Sequence, residues 1–195
     1  MTIGRPLEFD PDIALDAAMQ LFWRKGYESS SLQELLSTMG LSKSSFYQKF
    51  NSKHSLFQRC IEHYRQMLTD KMKTSLEKNG SGKSFINSLF HNVAYETSGP
   101  DAQMGCMVMN VASEFAQTDP KIAQIVSSSI ESFIDVFEIA IKQAQQQGEI
   151  TSDKDARSLA HYLVSSMSGL KNMVKGGADR ETIKRIANII LSALD

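Results

Sequence analysis

Several things are scarce in this chain of 195 residues, and each scarcity removes a class of protein. It has two cysteines, Cys60 and Cys106, far apart in sequence. That excludes a disulfide framework and a Cys-x-x-Cys metal or redox motif, and it fits a reducing cytoplasm. The four histidines, His54, His63, His91 and His161, include no pair at helical spacing, so no metal site is expected. No apolar run approaches the length of a membrane span, and no secretory leader is read at Met1, so no membrane partner is expected. There is no nucleophile elbow, glycine-rich phosphate loop or carboxylate pair at defined spacing, which argues against an enzyme and gives no reason to expect a cofactor. No stretch alternates with period two for long enough to make a strand. What remains is 42% hydrophobic and 22% charged, the balance of an ordinary globular protein long enough to bury a sizeable core.

The richest local signal runs from Ser30 to Phe50. Leu32, Leu35, Leu36 and Met39 follow the i, i+3, i+4, i+7 pattern of one helix face. Ser31 before it and Glu34 three residues on form a capping-box start, and Gly40 suits the left-handed residue that ends a helix. Leu41 can plug the corner, and Ser42 can cap a second helix running to about Gln48. Helix, glycine turn and polar helix are the layout of a helix-turn-helix, whose second helix enters the DNA major groove. A net charge of −1 does not argue against this, because affinity for DNA depends on local cations. From Ser42 to Arg59 the chain carries Lys43, Lys49, Lys53 and Arg59 with no acidic residue.

Asp10-Pro11 before the motif opens a helix with Ala14, Ala17, Ala18, Leu21 and Phe22 as its apolar positions, closed by Gly26-Tyr27. After it, Asn51-Ser52-Lys53 starts a long helix. This order, with Ser30-Ser31-Leu32, Gly40-Leu41-Ser42-Lys43, Ser45-Phe46-Tyr47-Gln48-Lys49-Phe50, Lys53, Leu56 and Phe57, resembles the DNA-binding domain of TetR-family repressors over about the first sixty residues. The resemblance implies an all-α fold with double-stranded DNA, a pseudo-palindromic operator, as partner. Ser42, Lys43, Ser44 and Ser45 would fill the first turn of the recognition helix, with Tyr47, Gln48 and Lys49 one turn on. Tyr47 resembles the family's phosphate-contacting tyrosine, and Lys53 its backbone contact. Ser30 and Ser31 are phosphate candidates, with helix capping as the plain alternative. Phe46 and Phe50 read as core. Gly4-Arg5-Pro6 resembles the short basic arm of some relatives.

Beyond the motif about nine helices are expected in all, without internal repeat. They would divide into residues 1–52 for DNA binding, 53–79 as a connecting helix and 80–195 for ligand sensing and dimerisation. Ser52 to about Lys78 is amphipathic, and Asn79-Gly80-Ser81-Gly82 breaks it. Phe85 to Val93 marks the next helix, ending between Thr97 and Pro100. A short one runs from Gly105 or Cys106 to Ala116, and Asp119-Pro120 opens a long one stopped at Gly148. Ser152 or Asp153 caps another to Val174, and Ile183 to Leu194 lie on the last. Two apolar faces, Leu159, Leu163, Met167 and Leu170 on one helix and Ile183, Ile186, Ile190 and Leu194 on the other, are dimerisation candidates, a four-helix packing of two copies. Completing the core of one chain is the alternative.

Met104-Gly105-Cys106-Met107-Val108-Met109-Asn110, followed by Glu114 and Asp119-Pro120, resembles a TetR subgroup that includes repressors responding to electrophiles and oxidants. A thiol at the start of a helix sits where the dipole favours thiolate, and Lys171 and Lys175 on a later helix can approach it. Against this, cysteine often only packs. Met109, Asn110, Phe90, Phe115, Phe137, Met167 and Asn172 complete the sensor candidates. Asn110 and Asn172 are chosen because a buried amide needs a partner that a ligand can supply. The effector class is a small molecule or an electrophile. The competing reading is a helical small-molecule carrier or thiol-dependent enzyme in which residues 30–50 are merely a helical corner.

Overall fold

The computed structural model describes residues 10–98 and 104–195. Among them are nine α-helices and no strand. Contacts divide the chain into two compact units, parted between Tyr64 and Arg65.

The first unit holds α1 (Pro11–Lys25), α2 (Leu32–Met39), α3 (Lys43–Phe50) and the start of α4 (Lys53–Asn79). Each of the first three helices starts where a short polar side chain takes over the orphaned amides of the opening turn. Asp10 accepts from Asp12 N and Ile13 N, Ser31 from Glu34 N, and Ser42 from Ser45 N. Gly40, at φ 65° and ψ 28°, ends α2 in the left-handed region, and Leu41 N donates back to Leu36 O at 2.9 Å. The helices bury Phe22, Phe46, Phe50 and Phe57, whose rings meet as the pairs Phe22–Phe57 and Phe46–Phe50. On α1 the buried face is Ala14, Ala18, Met19 and Phe22; Ala17 and Leu21 are only half-buried, so the apolar stripe is rotated towards Met19.

The second unit holds the rest of α4, then α5 (Gly82–Glu96), α6 (Met107–Phe115), α7 (Pro120–Gln146), α8 (Ala156–Lys175) and α9 (Arg180–Leu191). A short 3-10 turn, Ser192–Leu194, closes the chain, so Leu194 lies past the last α-helix. Helix α5 lies against α7, α8 and α9, and α7 packs on α6 and α8. Phe85, Phe90 and Phe137 form the aromatic centre, with ring centroids 6.3 Å from Phe137 in both pairs. At the start of α5 the approach to α7 leaves no room for a side chain: a Cβ on Gly82 would stand 1.8 Å from Ala140 O. Arg157 of α8 binds Asp135 and Glu138 of α7 at 2.6 and 2.8 Å, and also Glu131. The cap of α8 is Asp155, not Ser152 or Asp153; Asp153 instead accepts from Thr151 within the preceding turn.

Candidate nucleic-acid interface and sensor region

Helix α3 is two-sided in the way a reading helix must be. Phe46 and Phe50 are buried, while Lys43, Ser44, Ser45, Tyr47, Gln48 and Lys49 are exposed. The aromatic pair, with ring centroids 5.7 Å apart, fixes the helix on the core so the opposite face stays in solvent. Tyr47 is 43% exposed and stands edge-on to Phe46. The three serines at the start of α3 form one hydroxyl cluster: Ser42 Oγ lies 3.0 Å from Ser44 Oγ and 2.8 Å from Ser45 Oγ. Those hydroxyls flank the open amide end of the helix, where backbone N–H groups and the helix dipole favour an anion.

Two expected contacts change. Ser30 is fully buried and donates its hydroxyl to Gly26 O at 2.8 Å. It holds the α1–α2 turn together and leaves the set of phosphate candidates. Ser31 is exposed, and its hydroxyl caps α2, so capping is at least part of its work. The Glu34 carboxylate, expected to complete the capping box, accepts from Lys25 Nζ of α1. The Gly4-Arg5-Pro6 arm lies outside the described residues.

Lys53, the first residue of α4, carries a feature missed in the sequence. Its Nζ sits 4.3 Å from the ring centroid of Tyr27. Gly26-Tyr27 had been legible only as a helix end. Arg59 similarly lies over Phe50, at 5.4 Å. In the acid-free stretch, Lys53 and Arg59 are thus held against aromatic rings.

The sensor candidates separate into three groups. Cys106 is the N-cap residue of α6, one position before the first turn, with no capping hydrogen bond from its side chain; it is half-buried. Lys175 does come to this corner. Its Nζ donates to Asn110 Oδ1 at 3.0 Å, Asn110 Nδ2 donates to Met104 O at 2.8 Å, and Gly105 packs against the Lys175 stem. Lys171 instead binds the Glu96 carboxylate at 2.7 and 2.9 Å. Met109, Phe115 and Met167 are half-buried. Phe90 and Phe137 are core residues packed on one another. Neither amide is left wanting a ligand, contrary to expectation: Asn110 already has protein partners, and Asn172 is exposed. Cys60 lies in the core, and burial pushes its thiol well above the ordinary range, which disfavours thiolate.

The dimerisation candidates also separate. Leu163, Leu170, Ile183 and Leu194 are buried inside the single chain, and Ile190 nearly so. They complete its core, the alternative held open above, because α8 and α9 must first cover α5 and α7. Leu159, Met167 and Ile186 are half-buried. The outward apolar residues are others: Tyr162 and Met173 on α8, and Ile189 on α9, the last 71% exposed. On α8, Tyr162 and Met173 follow helical spacing with Ser165, Ser166 and Gly169 along one outer stripe.

An all-α chain opening with a capped helix, a left-handed glycine and an exposed polar helix is a helix-turn-helix protein. The family described as "Bacterial regulatory proteins, tetR family" matches residues 14–60, and "Tetracyclin repressor-like, C-terminal domain" matches residues 83–190. The chain belongs to the TetR family and is a helix-turn-helix, DNA-binding transcriptional regulator. The HTH-type transcriptional regulator YezE of Bacillus subtilis (strain 168) is 31% identical, covering 99% of this chain and 100% of that protein. The HTH-type transcriptional repressor ComR of Escherichia coli (strain K12) is 30% identical, with 96% and 90% covered. Among solved structures, a cysteine mutant of the TetR family regulator CifR with 26-bp operator DNA superposes with TM-score 0.82 at 26% identity, covering 98% and 100%. E. coli NemR in its reduced form has the same fold, with TM-score 0.82 at 18% identity over 92% and 93%. Among the described residues no helix is long and apolar enough to cross a membrane.

Proposed function

We propose that this regulator is a cytoplasmic, homodimeric repressor that holds a pseudo-palindromic operator and lets it go when the second unit takes up a small molecule or Cys106 is modified. The observation that carries the DNA half is the exposed face of α3. Lys43, Ser44, Tyr47, Gln48 and Lys49 stand in solvent on a helix anchored by Phe46 and Phe50. On this reading Ser42, Ser44 and Ser45 meet a phosphate at the helix start, and Lys43 and Gln48 reach base edges. Tyr47, Lys49 and Lys53 contact the backbone, and Ser31 adds a phosphate contact at α2. Repressor names among the relatives and the operator complex of CifR support it. They favour a regulator over a carrier or thiol-dependent enzyme.

A dimer supplies two recognition helices for successive major grooves about 34 Å apart. The outer stripe of Tyr162, Ser165, Ser166, Gly169 and Met173, with Ile186 and Ile189 of α9, is the surface we assign to it; small residues there permit close helix approach. For the effector, the Gly105–Cys106 corner is the best supported place, since Cys106 is half-buried and its neighbour Gly105 lies against Lys175 and Asn110, so that a group added there would press on a defined contact. Release requires differential affinity for two packings of the second unit, and a coupling of about 1–3 kcal/mol weakens operator binding roughly 5- to 150-fold.

The test is operator titration at several salt concentrations with wild type and Lys53→Ala. Lys53→Ala is expected to weaken binding to all sequences alike and to flatten the salt slope by about one. A wild type with no salt-dependent DNA binding would defeat the reading. For the effector, an electrophile is added to wild type and to Cys106→Ser. Equal responses would remove Cys106 and leave a reversible ligand.

A further inference from the structure

Lys53 has to make a phosphate contact from the end of a long, flexible stem, and such a stem loses rotamer freedom when it is fixed. In this structure the loss is already taken before DNA arrives. The Lys53 ammonium lies 4.3 Å from the centre of the Tyr27 ring, within cation–π range. The ring itself is immobilised. Its centroid is 4.8 Å from Phe57, 6.0 Å from Phe22 in a near-parallel stack, and 6.2 Å from His54 edge-on. Phe22 and Phe57 are both core residues, so Tyr27 inherits the rigidity of the aromatic core while staying half-buried itself.

The ammonium carries three donors, and the ring face occupies one side of it. Among the described residues no carboxylate pairs with it, which leaves donors for an anion. A π face attracts the cation without neutralising it, as a carboxylate would. The contrast lies in the same unit: Lys25, two residues before Tyr27 in sequence, is paired with the Glu34 carboxylate.

Resting on the reading of Lys53 as a backbone contact, we propose that Tyr27 is a positioning residue for DNA binding. Its ring fixes the Lys53 ammonium in place and keeps its full charge for the phosphate. Tyr27 touches no DNA in this scheme and acts only through Lys53.

The experiment is a double-mutant cycle on operator affinity, with folding checked by thermal unfolding. Tyr27→Leu removes the ring; Tyr27→Phe keeps it. With Lys53 present, Tyr27→Leu is expected to weaken binding about two- to fivefold, the size of a solvent-exposed cation–π interaction. Tyr27→Phe is expected to bind as wild type does. In the Lys53→Ala background, Tyr27→Leu should cost nothing further, whereas a purely structural role would cost the same in both. If Tyr27→Leu does not fold, progressively fluorinated phenylalanine at position 27 preserves shape while draining the ring face of negative potential. Affinity should then fall stepwise with fluorination, and only when Lys53 is present. Equal losses in both backgrounds, no loss in either, or insensitivity to fluorination each overturn the proposal while leaving Lys53 as a contact. If instead Lys53→Ala alone binds normally with an unchanged salt slope, the contact reading fails first and takes this inference with it.

Discussion

The two units of this chain bury their apolar residues by different rules. In the first, the features that shape the reading helix are set locally. Ser31, Gly40 and Ser42 each satisfy or terminate a helix within five residues of themselves, and the exposed face of α3 follows from Phe46 and Phe50 four residues apart. In the second, the decisions are made between helices distant in sequence. Leu163 is buried because α5 and α7 lie beneath α8, and Ile189 is exposed because no described residue covers it. A local rule can be read from one sequence. A distant rule needs the packing partner.

The sharpest way to test that difference is on α8 and α9, where neighbouring apolar residues are assigned opposite roles. Leu163→Ala empties a core position with no exposed surface and is expected to cost about 2–5 kcal/mol of unfolding free energy, measured by denaturant titration. Ile189→Asp, on the outer stripe, should leave the chain folded but shift sedimentation from dimer to monomer. If Leu163→Ala is neutral for stability and abolishes the dimer, the buried and outer faces of α8 have been interchanged.

That exchange of faces is also where sequence reading stopped working. Leu159, Leu163, Met167 and Leu170 share one apolar stripe whether it faces a core or a partner, because periodicity reports that a face is covered and not by what. The same limit applied to Asn110 and Asn172. Each is a lone amide on an apolar helix, but one is satisfied by Met104 O and Lys175 and the other stands in solvent. By contrast all nine helices, the caps Asp10, Ser31, Ser42 and Asp119, and the break at Gly80 were legible. Their signals are carried by the residues at the helix ends themselves. Ser30 was misjudged for an instructive reason: its hydroxyl finds Gly26 O four residues back, a contact that depends on how the α1–α2 turn folds.

A second test asks how tightly the distant packing is specified. Gly82 opens α5 in direct contact with the α7 backbone, so Gly82→Ala forces a methyl against Ala140 O. Overpacking of this sort typically costs about 1–3 kcal/mol, and here the obstacle is main chain that cannot rotate away. The expected result is a lower denaturation midpoint with an unchanged denaturant slope. The matching change in the first unit, Gly40→Ala, meets nothing within 4 Å and is strained only by its φ of 65°. A loss there of about 1–2 kcal/mol, the cost of a left-handed residue, would show strain of local origin against a clash of distant origin.

The smallest effect concerns acid. Asp155 and Asp179, the caps of α8 and α9, are each held below the usual carboxylate range. For Asp155 the main causes are the hydrogen bonds from the Ser158 side chain and then its backbone N–H. For Asp179 they are those from the Thr182 backbone and then its hydroxyl. A carboxyl lowered in the folded state releases its proton more readily there than in the unfolded chain. Its contribution is therefore complete above the ordinary carboxylate pKa, near 4, and is lost as pH falls through the lowered folded value. Asparagine caps a helix about as well as aspartate but does not titrate. Asp155→Asn and Asp179→Asn should accordingly leave the melting temperature near neutrality almost unchanged while flattening its decline between roughly pH 4 and the lowered folded values. Both residues are exposed, so each flattening should be slight, and the double variant is the informative one. Should it melt along the same acid profile as wild type, the acid sensitivity of the second unit resides elsewhere. The Glu138 carboxylate, lowered first by Lys142 on the same helix and then by Arg157 of α8, is then the next to replace, with glutamine. That outcome would move the acid-labile contact from a helix end to a charge cluster of which one half, Lys142 four residues on, is legible in the sequence and the other half, Arg157 of α8, is not.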